Sequence, residues 1–110
     1  MTTADPTDIP PDLARALDRV AHGLNCMLAG NPSPYAACWA PSDTVTLFGA
    51  WGPTEQGHGA VIRTFDWVGH RFSDGATVPD YDVVDVSGDL AYTVGFERGT
   101  ARVDGGDLSQ

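Results

Sequence analysis

The sequence predicts an α+β domain in which a curved antiparallel sheet wraps over helices, and three observations carry that expectation. Leu13, Leu17, Val20, Leu24 and Leu28 recur at steps of three and four residues, which makes one apolar helical stripe. Val61, Ile62, Phe65, Val68 and Phe72 make a second. Residues 78–86 and the stretch from Leu90 onward alternate as strands do, on either side of the turn sequence Ser87-Gly88-Asp89. Helices followed by consecutive antiparallel strands pack as segregated layers rather than as a doubly wound sheet.

Residues 1–8 read as a flexible leader, and residues 9–110 as one domain. Pro10-Pro11 open the first helix, because proline is tolerated in a first turn. Gly30 and then Asn31-Pro32 close it. Gly23 inside it costs about 1 kcal/mol relative to alanine, which suggests that something packs closely there. Residues 34–39 suit a further short turn of helix. Residues 44–48 read as a strand ending at Gly49, and residues 50–57, rich in breakers, as a loop. The second helix is expected to run through Phe72 and to stop at Ser73-Asp74-Gly75. Pro79 makes the start of the next strand an edge or a bulge, and Gly99 marks a bulge in the last one. The long strand raises a topological question: a hairpin needs a returning strand, and only Asp107-Leu108-Ser109-Gln110 follow the turn at residues 103–106.

Composition narrows the function classes. With 110 residues and 42% hydrophobic content the chain has enough material for one ordinary core. Fifteen acidic residues against six basic ones, all six arginine, give a formal charge of −9. Such a surface repels phosphate backbones and anionic membranes, so no nucleic acid and no membrane is expected as partner. Without lysine there is neither a Walker-type phosphate loop nor Schiff-base chemistry. The polar, acidic start is not an ordinary signal peptide, and a cytoplasmic location is expected. There Cys26 and Cys38 read as free thiols. His58 and His70 have no metal-ligand spacing, so no metal and no cofactor is expected.

Three blocks together resemble a known family: "APSDTVTLFGAWGPTEQG" (residues 40–57), "FDWVGHRFSDG" (65–75) and "SGDLAYTVGFERG" (87–99). They are similar to the SnoaL-like branch of the nuclear transport factor 2-like superfamily, over nearly the whole chain. The resemblance implies a cone-like α+β barrel with an apolar pocket between sheet and helices, and a homodimer packed through its sheets. It also implies two more strands after residues 103–106, so the last strands of the cone are expected to be missing from this sequence. The alternative is a natural variant whose open edge pairs with another subunit. Family members include ketosteroid isomerases, polyketide cyclases, epoxide hydrolases and dehydratases. The isomerase mechanism needs an Asp base and an oxyanion hole of Tyr and protonated Asp. The resemblance puts the base at Leu47-Phe48-Gly49, where no carboxylate stands, and the tyrosine in the first helix, which has none. The second acid belongs to the strands not present here.

The candidate residues are few. Asp43, before the first strand, is either an acid or base pointing into the cone or a turn-forming residue. Phe48, Trp51, Phe65, Tyr92 and Phe96 are candidates to line the pocket, Trp51 equally as packing in a loop bounded by glycine and proline. Glu55, in the same loop, reads as solvated charge. Trp67, His70 and Arg71 fall off the apolar face of the second helix. Glu97 and Arg98 are the most informative pair. Neighbours in a strand point to opposite faces, so if Tyr92, Val94 and Phe96 share a face with Arg98, Glu97 shares the other with Thr93 and Gly95. One charge then approaches the covered face, as a polar anchor for a ligand or a general base. The competing reading is an ion pair of Glu97 with Arg71 or Arg102, or charges at a dimer interface. Three functions follow: a small-molecule enzyme using acid/base chemistry on an apolar substrate, a non-catalytic module binding a small apolar molecule, or a truncated relic that folds poorly or only as a dimer.

Overall fold

The computed structural model describes residues 9–49 and 54–110. The expected leader and Trp51 lie outside them. Helix α1 runs Pro11–Leu28, opened by Pro10 and Pro11 as expected. It ends in a Schellman arrangement: the Asn31 amide donates to the Cys26 carbonyl (2.8 Å) and the Gly30 amide to Met27 (3.0 Å). Gly30 takes φ 102°, which a side chain would resist. Helix α2, Ser33–Ala36, turns straight back over α1. It crosses at Gly23, where a Cβ would lie 2.7 Å from the Tyr35 Cα. The glycine therefore does mark a close approach, and that approach fixes where Tyr35 sits.

Strands β1 (Thr46–Leu47) and β2 (Glu55–Gln56) pair antiparallel, Thr46 opposite Gln56. The first strand is thus shorter than its alternation predicts, and part of the expected loop is its partner. Helix α3 is His58–Gly69 and buries Val61 and Phe65. It stops before Phe72, which instead opens strand β3, Phe72–Ser87, opposite Val103 of strand β4, Leu90–Val103. The Ser73-Asp74-Gly75 sequence does not end a helix. It is an irregularity of β3, where the register shifts between Ser73 and Ala76 and Asp74 takes φ 53°. The strand passes so close over the end of α1 that a Cβ on Gly75 would meet Leu28 at 2.5 Å and Ala101 at 2.9 Å. Turn-forming residues serve a bulge as well as they serve a helix stop, which is why spacing alone misplaces the boundary.

The hairpin closes through Gly88-Asp89, with Ser87 opposite Leu90 and Gly88 at φ 60°. A second register shift falls between Tyr81 and Val83. Pro79 is regularly opposite Glu97, and Gly99 opposite Thr77. The bulges therefore lie on β3, not at Gly99. Gly99 and Gly95 are instead points where β4 runs too close to the β3 backbone for any side chain. The two hairpins form separate two-stranded sheets rather than one continuous sheet, so the architecture is α+β with antiparallel sheets.

The core is small. Met27, Val61 and Phe65 are its buried centre, with Leu24, Tyr35, Trp39 and Leu47 among the residues packed around it. The stripe of α1 that periodicity identifies is only half-buried along its length. Its deepest line is Gly23 and Met27, one step round the helix. The segment after β4 folds back on it in a single antiparallel bridge: the Ala101 and Ser109 amides each donate to the other's carbonyl (2.9 and 3.0 Å). No helix among the described residues is long and apolar enough to cross a membrane.

Arg71 ties the start of β3 to the end of β4. Its guanidinium donates to both Asp104 oxygens, Nη2 to Oδ2 at 2.7 Å and Nε to Oδ1 at 3.1 Å, and stacks 4.6 Å from the Trp67 ring centre. The donated hydrogen bond holds the Asp104 carboxyl below the usual carboxylate range. A depressed folded-state pKa contributes stability above the unfolded value, and that contribution is lost as pH falls through the folded one. Asp104→Asn is therefore expected to melt slightly below the parent protein at pH 7. The deficit should close in thermal melts below about pH 4; a deficit that stays constant with pH would show that the carboxylate charge is not involved.

Candidate functional site

A recess of about 410 Å³ lies between α1 and the β3–β4 hairpin. Its helical side is Leu17, Val20, Ala21 and Leu24, part of the half-buried stripe. This is why the stripe is not fully covered: it lines a hollow. Tyr35 of α2 contributes from one end, Pro79 and Tyr81 from β3, and Thr93, Gly95 and Glu97 from β4. The volume falls within the range of small-molecule sites, about 300–1,000 Å³.

The two charged candidates part company here. Glu97 faces the recess, while Arg98 lies on the outer face, donating to Asp80 at 2.9 Å and resting 4.9 Å from the Phe96 ring centre. The ion pairs expected for Glu97 do not form. Arg71 is engaged by Asp104, and Arg102 by Asp74 at 3.1 Å. Among the described residues the Glu97 carboxylate joins no ion pair, and it is the one charged group lining the recess.

Two phenols converge on it. Burial pushes the Tyr35 hydroxyl above the usual phenol range; a hydrogen bond with Trp39 opposes this, and the Glu97 carboxylate adds to it. Tyr81 is raised for the same first reason, then by Glu97 and by Asp18 of α1. Both phenols therefore stay protonated donors through neutral pH, beside one carboxylate acceptor in a hollow whose helical wall is apolar. Such a set can bind a polar group by hydrogen bonds, or take a proton at Glu97 while the phenols stabilise the negative charge left behind.

The other candidates, Phe96 apart, lie elsewhere. Asp43 is exposed in the turn before β1 and does not line the recess with Glu97. Phe48 is 81% exposed. Phe65 is core, its ring centre 4.9 Å from that of Tyr35 and 5.2 Å from that of Trp39. Tyr92 is half-exposed on the outer face of β4, whereas Phe96, though exposed, is among the residues that line the recess. Neither phenol of the recess was among the sequence candidates. The resemblance directs attention to a tyrosine in the first helix, whereas these come from α2 and β3. Tyr81, two residues after Pro79 on an alternating strand, carried a usable signal. A larger hollow of about 530 Å³ between α1 and α2 holds Asp18, Arg19, His22 and Cys38. The contact His22 makes is with Cys26, 3.6 Å from its Nε2 and outside the lining, and the hollow's acid, Asp18, is accompanied there by the cation Arg19.

The chain matches no known protein-family model, no curated protein and no solved structure.

Proposed function

We propose that this chain is a SnoaL-like domain of the nuclear transport factor 2-like superfamily, and that it holds a small apolar molecule between α1 and the β3–β4 hairpin. The observation that carries the reading is that Tyr35, Tyr81 and Glu97 line one recess of small-molecule size whose helical wall is apolar. The order of elements, two helices, a short strand pair, a helix and a long hairpin, supports an α+β reading of this kind. In this reading the protein is cytoplasmic and pairs through the outer face of the hairpin, where Leu90, Tyr92, Val94 and Phe96 are all at least 50% exposed. Glu97 and the phenols give the recess acid/base capacity of the isomerase, cyclase or hydrolase kind. A non-catalytic binding module is the second reading. It is favoured by the exposure of Glu97, because water competes for a proton acceptor it can reach.

Titration with Nile red, a neutral apolar dye, tests binding. One saturable site is expected, and Ala21→Trp, which fills the recess from the helix, should weaken it at least tenfold while leaving the circular dichroism spectrum unchanged. Dye binding that ignores Ala21→Trp, on the outer face of the hairpin for example, would sink the reading.

A further inference from the structure

We infer that the recess selects a cationic ligand, an apolar body carrying a protonated amine, over neutral and anionic molecules of the same shape. This rests on the binding reading above and adds the chemical class. The argument begins with what is absent from the lining: Glu97 is the one charged residue there, and no cation among the described residues neutralises it. The three arginines of the hairpin region are spent elsewhere, on Asp104, Asp80 and Asp74.

The surroundings reinforce the sign. Asp18 of α1, outside the lining, adds a weaker negative influence on the Tyr81 hydroxyl. The faces of the Tyr35 and Tyr81 rings carry the negative side of the aromatic quadrupole, which attracts a cation but not an anion. Beyond the site, the whole chain carries −9 with no lysine, a field that draws cations toward it and repels anions. The apolar end of the ligand is provided for by Leu17, Val20 and Leu24. An ammonium group set at Glu97 therefore places its tail along α1.

The ligand series that tests this holds the tail constant: decan-1-ol, decylammonium and decanoate, each below its micellar concentration, titrated calorimetrically at pH 7 and low salt. Because Glu97 is exposed, the advantage of the amine is set by a solvated ion pair and a cation–π contact, about fivefold over the alcohol, with decanoate weakest. Glu97→Gln should cut the amine-to-alcohol ratio by about twofold or more, leaving the part due to the aromatic rings and the surrounding charge. Asp89→Asn, the same loss of charge at the hairpin tip and away from the recess, should leave the ratio as it was. Equal binding of amine and alcohol overturns the inference, as does a preference that Glu97→Gln leaves undiminished or that Asp89→Asn lowers equally. If the alcohol binds at a site closed by Ala21→Trp but the amine has no advantage, only the ligand class is wrong. If none of the three binds, the recess reading falls with it.

Discussion

Phe65→Ala is expected to destabilise the protein by about 3–5 kcal/mol, a large part of the roughly 5–15 kcal/mol that a domain of this size has in total. The ring is 4% exposed, so truncation leaves a cavity rather than a groove that water fills. It also sits at the centre of a three-ring cluster. Tyr35 lies 4.9 Å from it in a tilted arrangement, Trp39 5.2 Å away edge-on, and the two partners are themselves 6.1 Å apart. Such pairs contribute about 0.5–1.5 kcal/mol beyond the area they bury. Because, among the described residues, the buried centre holds only Met27 and Val61 besides, neighbours have little with which to close the gap. Urea or thermal denaturation followed at 222 nm should show a fall in melting temperature on the order of 15 °C, and Phe65→Leu a clearly smaller one. A change below about 1 kcal/mol would mean that the rings are not packed as described. The effect also reaches the site. Tyr35 is held over the recess by the Gly23 crossing on one side and by Phe65 on the other, so the variant should bind Nile red more weakly even at temperatures where it is folded.

What could be read from residues alone divides along a physical line. Helix α1 was legible because its start, its stripe and its stop are all local: Pro10-Pro11, the leucines and Gly30 each act within one or two turns of chain. The α3–β3 boundary was not, because Ser73-Asp74-Gly75 suits a helix stop and a strand bulge equally. Only the passage of β3 over Leu28 and Ala101 decides between them. Strand β2 was hidden among breakers for a related reason, since two residues gain strand character solely by pairing with Thr46 and Leu47.

The candidate site shows the same division. Alternation established that Glu97 and Arg98 occupy opposite faces, but parity does not say which face is covered. A clue was present in residue size. The odd positions Ala91, Gly95, Gly99 and Ala101 are small, and at Gly95 and Gly99 the β3 backbone leaves no room for a side chain, whereas the even positions Tyr92, Val94 and Phe96 are large and apolar. Reading large apolar residues as inward reverses the true arrangement, because the hairpin turns its bulk outward. Tyr35 was beyond reach, and Tyr81 could be given a strand face but not a place beside Glu97, since their meeting joins three segments distant in sequence.

Asn25 is where a single polar side chain decides how the helical layer meets the sheet, and its replacement should show it. The Thr77 amide donates to its Oδ1 at 2.8 Å, and its Nδ2 donates to the Thr77 carbonyl at 2.9 Å and to Ala21 within the helix at 2.9 Å. The amide side chain thus takes the place of a neighbouring strand along the free edge of β3, at a residue only 8% exposed. Asn25→Leu removes both partners and leaves a buried N–H and a buried carbonyl unpaired, at about 1–3 kcal/mol each. A loss of at least 2 kcal/mol is expected, which lowers the melting temperature by about 10 °C. Hydrogen exchange localises the effect: the Thr77 amide should exchange roughly thirtyfold faster, the factor that 2 kcal/mol represents. Unchanged exchange at Thr77 would show that the clasp does not hold in solution. Asn25→Asp refines the test, because it keeps the acceptor but turns a carboxylate toward the Thr77 carbonyl. That contact and partial burial raise the folded-state pKa of the new acid, so its stability is greatest at low pH and is lost as pH rises through that value. The Asp variant should therefore approach the parent protein in acid and fall away toward neutrality, a profile that loss of packing alone does not produce. Since Asn25 lies one residue beyond Leu24, releasing it lets α1 move off the hairpin. The recess then widens at the end where Glu97 stands, and ligand affinity should fall in step with the protection of Thr77.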